Sequence, residues 1–246
     1  MTHVVSRKVN CYNTSSCQAC SCVVVCRLLM DIKYFGHSSF YIRGKSAKIV
    51  TDPYDSAYTG LKFPKTEADV VTISHDHADH NSLVEIKGEP LVLTWPGEFE
   101  KKQVRITGFQ SFHDKKNGEE RGENVMYKFE ADDFSILHCG DLGHMIPDEM
   151  IDQIGTIDVV MIPVGGLYTI GPVEAVKVLN EIEPSIVIPM HYGQVGLKSE
   201  TFGGLQPLEA FLKEIGAIDI EPIEKLTLKR EELTGENIRV VVMQNI

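Results

Sequence analysis

The segment His75-Asp76-His77-Ala78-Asp79-His80 places five imidazole or carboxylate side chains within six residues. These are ligand types that zinc, manganese and iron accept. His75 and His77 lie two apart, so on an extended loop their rings project to the same side. Asp79 and His80 follow as the chain turns away, where they can face a second ion beside the first. Three more residues of this kind stand singly after predicted strands: His113 after 109–112, Asp141 after 136–140 and His191 after 186–190. Asp52 closes an earlier strand, just before Pro53 ends its ladder.

The elements that must position these residues follow from pattern. Val70-Val71-Thr72-Ile73 is a short apolar run feeding the His/Asp cluster, which reads as a buried strand delivering a loop. Residues 34–43 predict a hairpin turning at Gly36-His37-Ser38, with a third strand at 47–51. Further strands are predicted over 91–93, 103–107, 108–112, 125–130, 134–139, 158–162, 186–189 and 240–243, with Gly97 as a turn. Helices are predicted over 147–154, 172–182 and 205–215, and one or two helical turns over 79–86. Residues 54–67 read as a loop near the ligand face. Strands come first, then strands alternating with helices, which predicts two sheets face to face with helices outside. Ligands would then collect on loops at one sheet edge.

With the ligand residues in this order, the chain resembles the metallo-β-lactamase fold superfamily. The match runs from Asp52 through His75-x-His77-x-Asp79-His80, His113 and Asp141 to His191, and with flanking strands it covers nearly all of 30–246. Phe35-Gly36-His37-Ser38, His113-Asp114, Gly140-Asp141-Leu142-Gly143-His144 and Pro189-Met190-His191-Tyr192 are similar to the branch near the ascorbate-6-phosphate lactonases. The resemblance implies an αββα sandwich of two mixed β-sheets with helices on the outer faces. It implies two divalent metal ions per chain, zinc or manganese. His75, His77 and His113 would hold the first, Asp79, His80 and His191 the second, and Asp141 would bridge. A metal-bridging hydroxide would then attack an ester, lactone or phosphodiester bond in a small substrate, phosphorylated or not, with Asp79 orienting it. Asp52 would fix a ligand imidazole from behind. His37 and His144, in glycine-flanked loops, are candidates for donating to a leaving group, and Tyr192 and Arg121 for contacting substrate; Lys115, Lys116 and Arg121 flank a Gly-rich turn and read either as a phosphate-receiving group or as a solvated charge cluster. The alternatives on the same fold are an iron-containing redox protein or a catalytically silent metal-binding protein.

Composition bounds the rest. The chain has 246 residues and a net charge of −11, which disfavours nucleic acid and anionic membrane as partners. A nucleic-acid-processing relative would also need an extra domain after Asp141, and the roughly 50 residues before His191 leave no room for one. Five of six cysteines, Cys11, Cys17, Cys20, Cys22 and Cys26, crowd the first 26 residues. Residues 1–29 are therefore set apart as an extension or an over-long start, and 30–246 as one domain. A metal or redox module on Cys17-x-x-Cys20-x-Cys22-x3-Cys26 is a further reading, though its spacing is irregular. No stretch approaches the apolar length of a membrane span. A body with one cysteine, Cys139, suits a reducing cytoplasm. A homo-oligomer is compatible with this composition.

Overall fold

The computed structural model describes residues 29–233 and 237–246. His3 and the five early cysteines, with any module they build, lie outside the described residues.

In chain order the elements begin β1 (Leu29–Gly36), β2 (Ser39–Arg43), β3 (Lys48–Thr51), α1 (Ser56–Thr59), β4 (Thr66–Glu67), β5 (Val70–Thr72), β6 (Ile86–Lys87) and β7 (Leu91–Leu93). There follow β8 (Gly97–Lys101), β9 (Val104–Phe112), β10 (Glu123–Ala131), β11 (Phe134–His138), α2 (Asp148–Ile154), β12 (Val159–Pro163), α3 (Pro172–Ile182) and β13 (Ile186–Met190). The chain closes with α4 (Ser199–Phe202), α5 (Leu208–Glu214), β14 (Leu226–Lys229) and β15 (Arg239–Val240).

Two mixed sheets carry the fold, in the orders β14-β1-β2-β3-β5-β7 and β15-β13-β12-β11-β10-β9-β8. Strand alternation decides which face each residue buries. Ile32 and Tyr34 of β1, Val70 of β5, Ile106 of β9, Tyr127 of β10 and Met161 of β12 meet in one core between the sheets. Val160 and Ile162, on the other face of β12, pack with Ala175, Val178 and Leu179 of α3 and Phe211 of α5. Val50, Val71 and Phe35 face out of the first sheet onto Tyr54, Leu61 and Phe63. That outer face is thus covered by an extended segment with one helical turn, while the longer helices cover the second sheet. Each large apolar side chain so buried is worth roughly 1.5–3 kcal/mol. No helix among the described residues is long and apolar enough to cross a membrane.

Strand direction gathers the functional loops. β1 and β3 both run antiparallel to β2, and β5 runs parallel to β3. β9 and β11 both run antiparallel to β10, and β12 and β13 continue parallel to β11. The C-terminal ends of β1, β3 and β5 therefore share one edge of their sheet, and those of β9, β11 and β13 share one edge of theirs.

Three local expectations change. Residues 79–86 form no helix, because Ala78 O accepts from Asp55 N and Ser82 N donates to Pro53 O, pinning this segment to the loop after β3. The strands expected over 103–107 and 108–112 are one strand, β9. Gly108 within it is no break: a Cβ there would lie 3.0 Å from Val125 Cγ1, so the glycine admits a close neighbour. Gly97 opens strand β8 instead of forming an isolated turn.

Candidate metal centre

Each ligand-type residue sits one to three residues beyond a strand, or in the run that follows β5. Sharp backbone turns deliver three of the site residues: His37, Asp52 and His191 have φ of 56°, 41° and 52°. Non-glycine residues in this region are uncommon and cluster where a site imposes the conformation. The His37 carbonyl ties two loops together, accepting from Tyr34 Oη at 2.7 Å and from His191 N at 2.9 Å.

The side chains converge in two groups with a shared centre. His75, His77 and His113 offer ring nitrogens within 4.8 Å of one another, and so do His37, Asp79, His80 and His191 with their ligand atoms. Asp141 lies between them. Its Oδ2 is 3.1 Å from His113 Nε2, 3.0 Å from His191 Nε2, 3.4 Å from His80 Nε2 and 3.9 Å from His75 Nε2.

Tautomers follow from the hydrogen bonds behind the rings. Asp52 Oδ2 accepts from Ser74 Oγ at 2.7 Å and from His80 Nδ1 at 2.8 Å. Ser74 has given its one proton to Asp52, so its oxygen accepts from His75 Nδ1 at 2.9 Å. Both rings therefore turn Nε2 to the cluster. Asp52 Oδ1 also accepts from Ser74 N at 2.8 Å. Asn124 orients the other wall: its Oδ1 accepts from Asp141 N at 2.9 Å, and its Nδ2 donates to Cys139 O at 3.0 Å. Ser74 and Asn124 were not legible as site residues, because neither is a ligand type.

The charge balance favours a cation. Nε2 of His75, His80 and His191 and Oδ1 of Asp141 are buried without a hydrogen-bond partner among the described residues. Such atoms are costly unless something else satisfies them. Burial raises the Asp141 carboxyl, but His191, His80 and His113 outweigh it and hold the group well below the carboxylate range. Burial lowers His80, but Asp141 and Asp79 hold it well above the ordinary imidazole value. Burial and the neighbouring His80 push His75 well down. Imidazole nitrogens and a carboxylate oxygen that are buried, unpartnered among the described residues and grouped this closely make the donor set of a divalent-cation site. The residues present fit metal.

The remaining candidates fall in different places. His37 is fully buried, and its Nε2 lies 3.0 Å from Asp79 Oδ2, behind that carboxylate. Burial and His191 lower its pKa to about 4, so the neutral ring donates to Asp79. Both His144 nitrogens are engaged by backbone: Nε2 accepts from Phe112 N at 3.1 Å and Nδ1 donates to Met145 O at 2.7 Å. The structure does not bring His144 into either group. Tyr192 is buried and lines a different cavity with Gln194 and Glu221. Arg121 lines the cavity beside the cluster. This cavity has a volume of about 330 Å³, with Asp79, His113 and Asp141 on its floor and Tyr58, Phe202 and Arg121 among its walls. That is the lower end of the range for small-molecule sites.

A sandwich of two mixed sheets with clustered imidazoles and carboxylates at one edge defines a class of metal-binding α/β proteins. Residues 31–191 match the beta-lactamase superfamily domain, and the chain belongs to that family, the metallo-β-lactamase fold superfamily. A UPF0173 metal-dependent hydrolase of Bacillus cereus (strain AH187) is 28% identical over 196 residues, 66% of this chain and 86% of the relative. A crystal structure from Thermotoga maritima, provisionally described as a Zn-dependent hydrolase of the metallo-β-lactamase superfamily, is 35% identical. It aligns with a TM-score of 0.71 over 87% of this chain and 100% of that one. Igni18, a metallo hydrolase of Ignicoccus hospitalis, shares the fold with a TM-score of 0.61 and 22% identity, over 81% of this chain and 98% of its own.

Proposed function

We propose that this chain is a metal-dependent hydrolase that holds two divalent ions, zinc or manganese, and cleaves an ester, lactone or phosphodiester bond in a small substrate. The observation that carries the reading is Asp141 Oδ2, set within 3.0–3.9 Å of four imidazole nitrogens drawn from both groups. A single carboxylate in that position is suited to bridging two ions. His75, His77 and His113 would hold one, and Asp79, His80 and His191 the other, with His37 close enough to add a fourth donor or to orient Asp79. Bound ions would supply Lewis acidity and bring the pKa of water toward 7.

The chain's own residues do the rest. Asp52 and Ser74 fix the ring orientations, so the donors are set before substrate arrives. Asp79 lines the cavity while its Oδ2 is held by His37, so it can position a water against the bond to be broken. The aromatic side chains of Tyr58 and Phe202 on its walls would limit the water beside a bound substrate, which strengthens charge interactions at the floor. The names of the relatives support the hydrolase class, and the similarity to the lactonase branch supports a cyclic or linear ester over a peptide.

The test is metal analysis of the purified chain beside His77→Ala, followed by a panel of esters, lactones and phosphodiesters with zinc and manganese supplied separately. The reading expects close to two ions per chain in the wild type, fewer in the variant, and turnover that chelation removes. Less than one ion per chain, with no metal-dependent turnover on any substrate, would overturn it.

A further inference from the structure

We propose that Arg121 is the specificity determinant of this cavity, reading an anionic carboxylate or phosphate substituent on a substrate whose body is apolar. Arg121 is the only Lys or Arg among the described residues lining the cavity. Its guanidinium lies over the Tyr168 ring, 4.6 Å from the centroid. Tyr168 is itself anchored, donating from Oη to Thr201 O at 2.8 Å. The backbone of Arg121 is fixed as well, because its N–H donates to Asp114 Oδ2 at 2.8 Å. A guanidinium held over a ring by cation–π attraction keeps N–H donors for a carboxylate or phosphate, and the ring contact narrows the range of positions this exposed side chain takes.

The surrounding charges make this cation unusual. Lys115 pairs with Glu174, and Lys116 with Glu120 at 2.6 Å. Arg121 has no carboxylate partner among the described residues. Asp76 lines the same cavity, but its Oδ1 accepts from Asn81 at 2.6 Å. Asp79 and Asp141 belong to the metal groups. In a chain of net charge −11, a lone fixed cation beside the centre is what would draw an anion to this face. Tyr58, Tyr168 and Phe202 offer the carbon body of the ligand apolar surface.

The inference rests on the hydrolase reading only in taking this cavity as the substrate site, and its test needs no turnover. The metal-loaded full chain would be titrated by calorimetry with pentanoate, glutarate and 4-phosphonobutyrate. Trp95, the only tryptophan, lines a neighbouring cavity with Arg121, and its emission gives a second readout. Each probe carries one acidic group for the metal floor, and the last two carry a second for Arg121. The expected result is binding about tenfold tighter, or more, for the tighter of the two doubly anionic probes than for pentanoate. The gain should collapse to near unity in Arg121→Gln and return in part in Arg121→Lys. The probe with the larger gain shows whether the group read is a carboxylate or a phosphate. Equal binding of all three by the wild type, or a gain that persists in Arg121→Gln, would overturn the proposal. Failure of the hydrolase reading would show separately, as absent turnover in the ester panel.

Discussion

Asp52 Oδ2 lies 2.8 Å from His80 Nδ1, and the same oxygen receives the Ser74 hydroxyl that His75 Nδ1 leans on. One carboxylate beneath the site therefore sets the tautomers of two imidazoles, one from each group. Losing such a partner usually costs ten- to a hundredfold in metal affinity. Asp52→Asn should keep its fold and bind zinc or manganese about 10- to 100-fold more weakly, measured by competition with a chromophoric chelator. Unchanged affinity would mean that ring orientation is set elsewhere.

Tyr34 donates to the His37 carbonyl at 2.7 Å from a fully buried position. The carbonyl keeps its second donor, His191 N, when the hydroxyl is removed. Tyr34→Phe should therefore lower stability by only about 1 kcal/mol in urea unfolding. A loss several times larger would show that the hydroxyl holds the two loops as one unit.

The residues that converge were legible by type, because imidazoles and carboxylates after an apolar run have few other uses, and because most of them stand just beyond a strand. The hairpin at Gly36-His37-Ser38, the strands before His75 and His191, and α3 follow the same local rules. What was not legible depended on distant partners. The expected helix after Asp79 fails because its backbone pairs with Pro53 and Asp55, residues more than twenty positions earlier. β14 pairs with β1 across almost the whole chain, and no pattern in Leu226–Lys229 points there. His144 and Tyr192 looked like site residues from their neighbours in sequence. The backbone bonds of the His144 ring, and the burial of Tyr192 against another cavity, set them elsewhere.

Gly143 carries a close approach between two functional loops. A Cβ there would lie 2.3 Å from Asp114 N and 2.4 Å from His113 C, both backbone atoms that cannot swing aside. Gly143→Ala should cost about 2 kcal/mol or more, and should also lower metal occupancy by displacing His113. Denaturant unfolding and metal analysis on one sample check both. Wild-type values in each would contradict the packing described.

Asp114 organises the loop that presents Arg121. Burial pushes its carboxyl up, but backbone N–H groups of Arg121, Lys116, Gly118 and Glu120 bring it down to about 2. Its unfolded value is about 3.9. Because the folded value is the lower, its contribution is fully present above about pH 4 and is lost as pH falls toward about 2. The Tm difference between wild type and Asp114→Ala, clear at neutral pH, should shrink across that window. A difference independent of pH would assign the loss to packing instead.

The central claim is that Asp141 stands between two bound ions. Crystals of the chain grown with zinc, measured just above and just below the zinc edge, test it directly. The account predicts two anomalous peaks, one among His75, His77 and His113 and one among Asp79, His80 and His191, with Asp141 touching both. A single peak, or none near Asp141, would contradict it.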